Sequence, residues 1–214
     1  AEHEVTAAPH ALAAKELPLV YYVAQKLPAL DAVTRPQLAG SLRQFEVLSF
    51  DTEFFLLDAL AAHPLDGTAP LVRTIATAAT TDPLLAWRAA RALGGYHDDE
   101  SVAILQKLQA SPLPRVRLAA LAALLQQKRA QSEAVVKLLD DRWPEVQQQS
   151  AAALGSLCAA TPTLRETIAD RLRGRRAPLP VALELLGSYL SCPGDPLPLL
   201  EGVLDDGRQP PELR

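Results

Sequence analysis

The sequence predicts an all-α chain, a solenoid of stacked helical hairpins. Three observations carry that expectation. The chain has 214 residues, 49% hydrophobic and 21% charged, so it holds enough apolar surface to bury a core. That apolar fraction comes mostly from Ala and Leu, with aromatic residues at only 5%, which favours closely approached helices over the β-branched and aromatic filling of sheets. Finally, Leu93, Leu124, Leu154 and Leu186 recur 31, 30 and 32 residues apart, the period of a helical hairpin.

Along the chain, residues 1–65 come first and differ from the rest. They hold all four Phe (Phe45, Phe50, Phe54 and Phe55) and two of the four Tyr, Tyr21 and Tyr22. They read as helices near 10–27, 35–47 and 52–63, the second started by Thr34-Arg35-Pro36 and the third by Asp51. Divergent N-terminal repeats or a cap over the exposed end of a stack would account for them. No Gly/Ser-rich linker follows, so one continuous domain is expected.

From residue 66 to 206 the chain repeats. Asp82 to Gly94, Pro114 to Leu124, Pro144 to Gly155 and Pro178 to Gly187 line up, and within each the small or apolar residues fall at helical spacing, as in Val116, Ala120, Ala123 and Leu124. Shorter apolar stretches, Ser101 to Leu108, Glu133 to Leu139, Leu164 to Leu172 and Leu197 to Leu204, supply the partner helices. Asp82-Pro83, Ser111-Pro112, Thr161-Pro162 and Asp195-Pro196 each set a capping side chain before a proline, which costs no backbone bond at a first helical position. Residues 207–214 form a Pro-rich tail.

The pattern of Asp-Pro, a Val-Arg-like pair, Ala-Ala and Leu-Gly resembles the HEAT-repeat family, especially the short bacterial repeats of phycobilin lyases. Only Val116-Arg117 keeps the family's Val-Arg pair; Val146-Gln147 and Leu85-Ala86 stand in the corresponding places. The resemblance implies a right-handed superhelix of about six hairpins, with the helix after each Asp-Pro turn lining the concave face. It says little of function, since one fold hosts many.

Charge and composition narrow the function. Lys and Arg number 21 against 25 for Asp and Glu, a net charge of −4, whereas phosphate contacts give a nucleic-acid binder the opposite balance. Nucleic acid is therefore disfavoured as a partner. No apolar run reaches the roughly 18 residues of a membrane span, and no targeting segment stands at the start, so a cytoplasmic location is the default. Cys158 and Cys192 have no metal-ligand spacing, although they could pair in an exported chain.

Under the HEAT alignment, outward positions stack into rows: Trp87, Leu118, Gln148 and Pro180; Arg88, Ala119, Gln149 and Val181; Arg91, Ala122, Ala152 and Glu184; Gly95, Gln126, Ser156 and Ser188. The expected surface has a small-residue floor, Gln and Ser along one flank, and Trp87, Arg88 and Arg91 at one end. It suits a helix or extended peptide with an acidic or aromatic anchor. The partner-binding candidates are Trp87, Arg88, Arg91, Gln126, Gln148, Gln149, Glu184 and Ser188. The opposing reading is that the Ala rows only permit helix packing and the arginines are solvated.

Other clusters have plainer accounts. Trp143 precedes Pro144 and is expected to staple a turn. In His97-Asp98-Asp99-Glu100 a helix cap is expected, favoured by the dipole, rather than a metal site. The run from Arg171 to Arg176 sits at a helix C-terminus, where cations meet exposed carbonyls. No cofactor and no metal are expected.

Catalysis finds little footing. The phosphate loop, the nucleophile elbow and the His-Glu-x-x-His motif are all missing from the sequence. Deoxyhypusine hydroxylases have a similar architecture but need several His-Glu pairs, and only His3-Glu4 occurs. Alkylpurine DNA glycosylases combine Trp and Asp residues as Asp140, Asp141, Arg142 and Trp143 do, yet on a basic face. Bilin lyases share the repeat without a motif to transfer. A protein-protein interaction or scaffold module is the first expectation, and a HEAT-type enzyme or chaperone-like lyase the alternative.

Overall fold

The computed structural model describes residues 26–27, 34–42, 50–78, 82–174 and 177–205. Among them are eleven helices and no strand: α1 Thr34–Leu42, α2 Phe50–Ala62, α3 Ala69–Ala78, α4 Pro83–Leu93, α5 Asp99–Leu108, α6 Pro114–Gln126, α7 Ser132–Leu138, α8 Pro144–Leu157, α9 Leu164–Arg173, α10 Leu179–Ser191 and α11 Leu197–Asp205. None is long and apolar enough to cross a membrane. The helix expected near 10–27, apart from residues 26–27, lies outside the described residues, as do Tyr21, Tyr22, Phe45, His3-Glu4, Arg175, Arg176 and the 207–214 tail.

Two compact units divide the chain at Arg129 and Ala130, inside the stretch read from sequence as one array. Each is a stack of helical hairpins, the architecture of an α-solenoid. In the first, α3 pairs with α4 and α5 with α6, while α2, α4 and α6 pack successively on one another. In the second, α7 pairs with α8 and α9 with α10, and α8 packs on α10. The helix α3 is an addition to the sequence reading; Val72, Ile75 and Ala76 form its buried stripe. Its stacking on α4 makes the Phe-rich α2 part of the first unit's stack.

Small residues set how near these helices come. Ala86, Ala89, Ala90 and Leu93 of α4 and Val116, Ala120, Ala123 and Leu124 of α6 are buried, with side chains too short to hold the axes apart. Leu93, Leu124 and Leu154 are fully buried as the period predicts, but Leu186 is only half-buried and Leu185 fills the core instead. The reason is spacing: the inward Val116, Val146 and Val181 lie 30 and then 35 residues apart. Aligning Leu186-Gly187 with Leu154-Gly155 therefore misplaces the last repeat by about three residues.

Helix starts follow local chemistry. Asp82 accepts hydrogen bonds from the N–H groups of Leu84 and Leu85 at 2.8 and 3.1 Å, with Pro83 first in α4. Asp195 accepts from the Leu197 N–H at 3.0 Å. Ser111-Pro112 and Thr161-Pro162 do not start helices. Leu113 already has the extended backbone of an N-cap and Pro114 takes the first helical position, so the Ser111 hydroxyl only closes the preceding turn by accepting from the Leu113 N–H at 3.3 Å. Thr163, the residue before α9, makes no side-chain cap either.

Asp98 caps α5 by accepting from the Ser101 N–H at 2.9 Å and the Ser101 hydroxyl at 2.8 Å, and it pairs with Arg73 at 2.5 Å. Burial on its own would raise the Asp98 pKa; the two Ser101 bonds and Arg73 outweigh it and hold the carboxyl below its usual 3.8. A lowered folded pKa means the stabilisation is present above the unfolded value and is lost as pH falls through the folded one. Asp98→Ala should cost about 1 kcal/mol at neutral pH, the usual worth of a cap at an exposed site. In acid melts the gap between wild type and variant should narrow as pH falls through the lowered folded-state pKa of Asp98. A constant gap down to pH 2 would refute this account.

Candidate functional site

Helices α4 and α6 of the first unit and α8 and α10 of the second carry the residues expected to meet a partner. Within the first unit, Trp87, Arg88 and Arg91 lie on α4 beside α2. Arg88 is only 13% exposed; its Nε donates to Asp58 Oδ2 at 3.1 Å, and its guanidinium stacks 3.6 Å from the Phe54 ring centroid and 4.8 Å from that of Trp87. It ties α2 to α4. Phe54 in turn meets Phe55 edge-on at 5.3 Å. Arg88 is therefore not a solvated cation: its head group is engaged by Asp58 and the two rings.

Arg91 is different. Its side chain is 47% exposed, 3.5 Å from Asp58 Oδ1 and 5.2 Å from the Trp87 ring. Trp87 is half-buried, with both guanidinium groups over its ring. On α6, Ala122 and Gln126 are exposed and Leu118 half-buried, continuing the small-residue floor. Gly95, placed in an outward row, is instead a close approach: a Cβ there would lie 2.1 Å from the Pro64 ring.

The neighbouring Gln127 went unnoticed in the sequence. It is buried, and its Nε2 donates to the carbonyls of Leu93, Gly94 and Tyr96 at 2.9, 3.1 and 2.8 Å. One amide group thus satisfies the exposed end of α4. The Tyr96 hydroxyl extends the network, 2.7 Å from Thr68 Oγ1, which itself donates to the Leu65 carbonyl. Burial raises the Tyr96 pKa, with the Thr68 bond acting the other way.

In the second unit, Gln148 on α8 donates to Glu184 Oε1 on α10 at 3.1 Å, and Gln149 is exposed. An open groove of about 460 Å³ lies alongside, floored by Ala152, Gly155, Ser156 and Gly187, with Glu184 on its wall. Ser188 touches this groove but does not point outward: it is buried, and its hydroxyl donates to the Ala151 carbonyl at 2.6 Å. The three-residue shift of the last repeat explains the change of face.

The remaining clusters resolve into turn and cap chemistry. Glu100 pairs with Arg73 at 2.8 Å and Asp99 with Arg129 at 2.5 Å, so the acidic run is held by arginines. No group of three or more potential metal ligands occurs among the described residues. Arg171 pairs with Asp140, and Arg173 with Glu166 and Asp170. Asp141 accepts from the Trp143 N–H at 2.9 Å just before α8, but the Trp143 side chain, expected to staple this turn, is 41% exposed with Arg142 5.9 Å from its ring.

Residues 71–155, running from α3 through most of α8, match the family model of HEAT repeats. Comparison with curated proteins and with solved structures yields no match.

Proposed function

We propose that this HEAT-repeat chain is a non-enzymatic interaction module that captures a peptide or helix of another protein along the helices that carry its candidate residues. The observation that carries the reading is the pairing of Trp87 and Arg91 on α4: a half-buried indole beside a cation that keeps 47% of its side-chain exposure. Aromatic and Arg side chains that are partly desolvated before binding make strong anchors, because little conformational freedom remains to be lost. An acidic or aromatic anchor on the partner is the complement, with Ala122, Leu118 and Gln126 of α6 flanking it. In the second unit, Glu184, held by Gln148, borders an open groove, a shape that suits an extended segment better than an enclosed substrate.

A peptide-display selection against the immobilised chain tests the proposal. It should enrich sequences combining acidic and aromatic residues. Arg91→Glu and Trp87→Ala should each weaken the selected peptides at least about tenfold, roughly 1.4 kcal/mol, the first with little change in Tm. Enriched peptides that bind both variants as tightly as the wild type would remove the site from α4.

A further inference from the structure

The two cysteines are brought together by packing that does not depend on them. Gly155 lies against Ser188: a Cβ on Gly155 would come within 3.1 Å of the Ser188 Cα and 3.3 Å of the Ser191 Cβ. The Ser188 hydroxyl locks the same contact by donating to the Ala151 carbonyl at 2.6 Å. Close approach of α8 and α10 is therefore fixed by small residues one turn before the helix ends. Cys158 and Cys192 are the residues that end those helices, and they inherit the approach, with a Cα–Cα distance of 5.1 Å, inside the range that a disulfide spans. Both are buried, at 0% and 5% exposure.

We propose that the Cys158–Cys192 disulfide is a redox-dependent staple of the second unit, formed when the chain meets a thiol–disulfide oxidant. The exchange balances without other reagents. One thiolate attacks the oxidant's disulfide and releases one of its sulfurs as a thiol; the second thiolate then displaces the other, leaving one protein S–S bond and two reduced thiols from the oxidant. The bond closes a loop across 34 residues that contains the whole of α9, so it restricts the unfolded chain more than the folded one. It also ties the ends of the helices that flank the Ala152–Ser156 groove, holding their separation. Burial keeps reductants out until the unit opens. Such a bond persists in an oxidising compartment, whereas a reducing cytoplasm leaves two buried thiols.

The test uses the full chain treated with oxidised glutathione and then freed of it. Alkylation with iodoacetamide in denaturant should add nothing before reduction and two groups after it. Thermal melts should place reduced wild type and the Cys158→Ala/Cys192→Ala double variant together, both below the oxidised protein by on the order of 10 °C. Two alkylated groups without reduction, or a Tm indifferent to reductant in the wild type, would overturn the proposal. The wild-type comparison alone decides the matter if the double variant does not fold.

Discussion

Gln127→Leu should lower the stability of the first unit by about 3 kcal/mol, because it strips one side-chain donor from three backbone carbonyls at once. Leu is close to Gln in volume, so the packing of α6 survives and the cost isolates the hydrogen bonds. A single amide has two N–H groups for the carbonyls of Leu93, Gly94 and Tyr96, and one of them is shared. Left without it, the Gly94 and Tyr96 carbonyls lose this donor beyond the end of α4, while the Leu93 carbonyl keeps the Tyr96 N–H at 3.0 Å. Gln127→Glu should be at least as damaging, since it turns an oxygen toward three others. Urea unfolding of the three proteins gives the measurement; a Gln127→Leu midpoint within error of the wild type would mean that water takes the amide's place.

The contrast between Gln126 and Gln127 shows what was legible in the sequence. The all-helical class, the hairpin repeat up to α8 and the small-residue packing were legible in Ala and Leu, since each is a local signal repeated several times, whereas two of the four Pro signals did not mark helix starts. Gln126 was placed outward and is exposed, but the buried role of its neighbour Gln127 was not read, because it stands at a helix end where the periodicity stops and the backbone turns. In the same way, Ser188 looked like part of a polar flank. Its burial follows from a longer connection before α10, which moves the last repeat by about three residues, and a Leu-Gly signature cannot reveal that. The helix α3 was missed because residues 66–81 lack the Ala-Ala and Leu-Gly signature of the aligned segments; its stripe of Val72, Ile75 and Ala76 was the available signal. The Cys158–Cys192 pairing was legible only as an option, as spacing along the chain does not give distance across helices.

Arg88 is where sequence and structure part most sharply, and reversing its charge separates the two readings. As an outward cation, Arg88 could be exchanged for Glu at no cost to folding, and partner capture alone would suffer. As the tie between α2 and α4 it cannot. The guanidinium is 13% exposed, bonded to Asp58 and stacked on Phe54, so Arg88→Glu sets a second carboxylate against Asp58 and uncovers the ring. Breaking a fully buried pair costs about 3–5 kcal/mol, and the 39% exposure of Asp58 lets water relieve part of it, which leaves a loss of about 3 kcal/mol. Arg88→Met with Asp58→Leu should recover most of that, since an apolar pair of similar bulk leaves no charge behind. Arg91→Glu, with its partly exposed head group, should change Tm little. If Arg88→Glu melts with the wild type while losing peptide binding, Arg88 belongs to the docking surface after all. If it unfolds early while Arg91→Glu folds and fails to bind, then of the two neighbouring arginines on α4 one holds the fold and the other meets the partner.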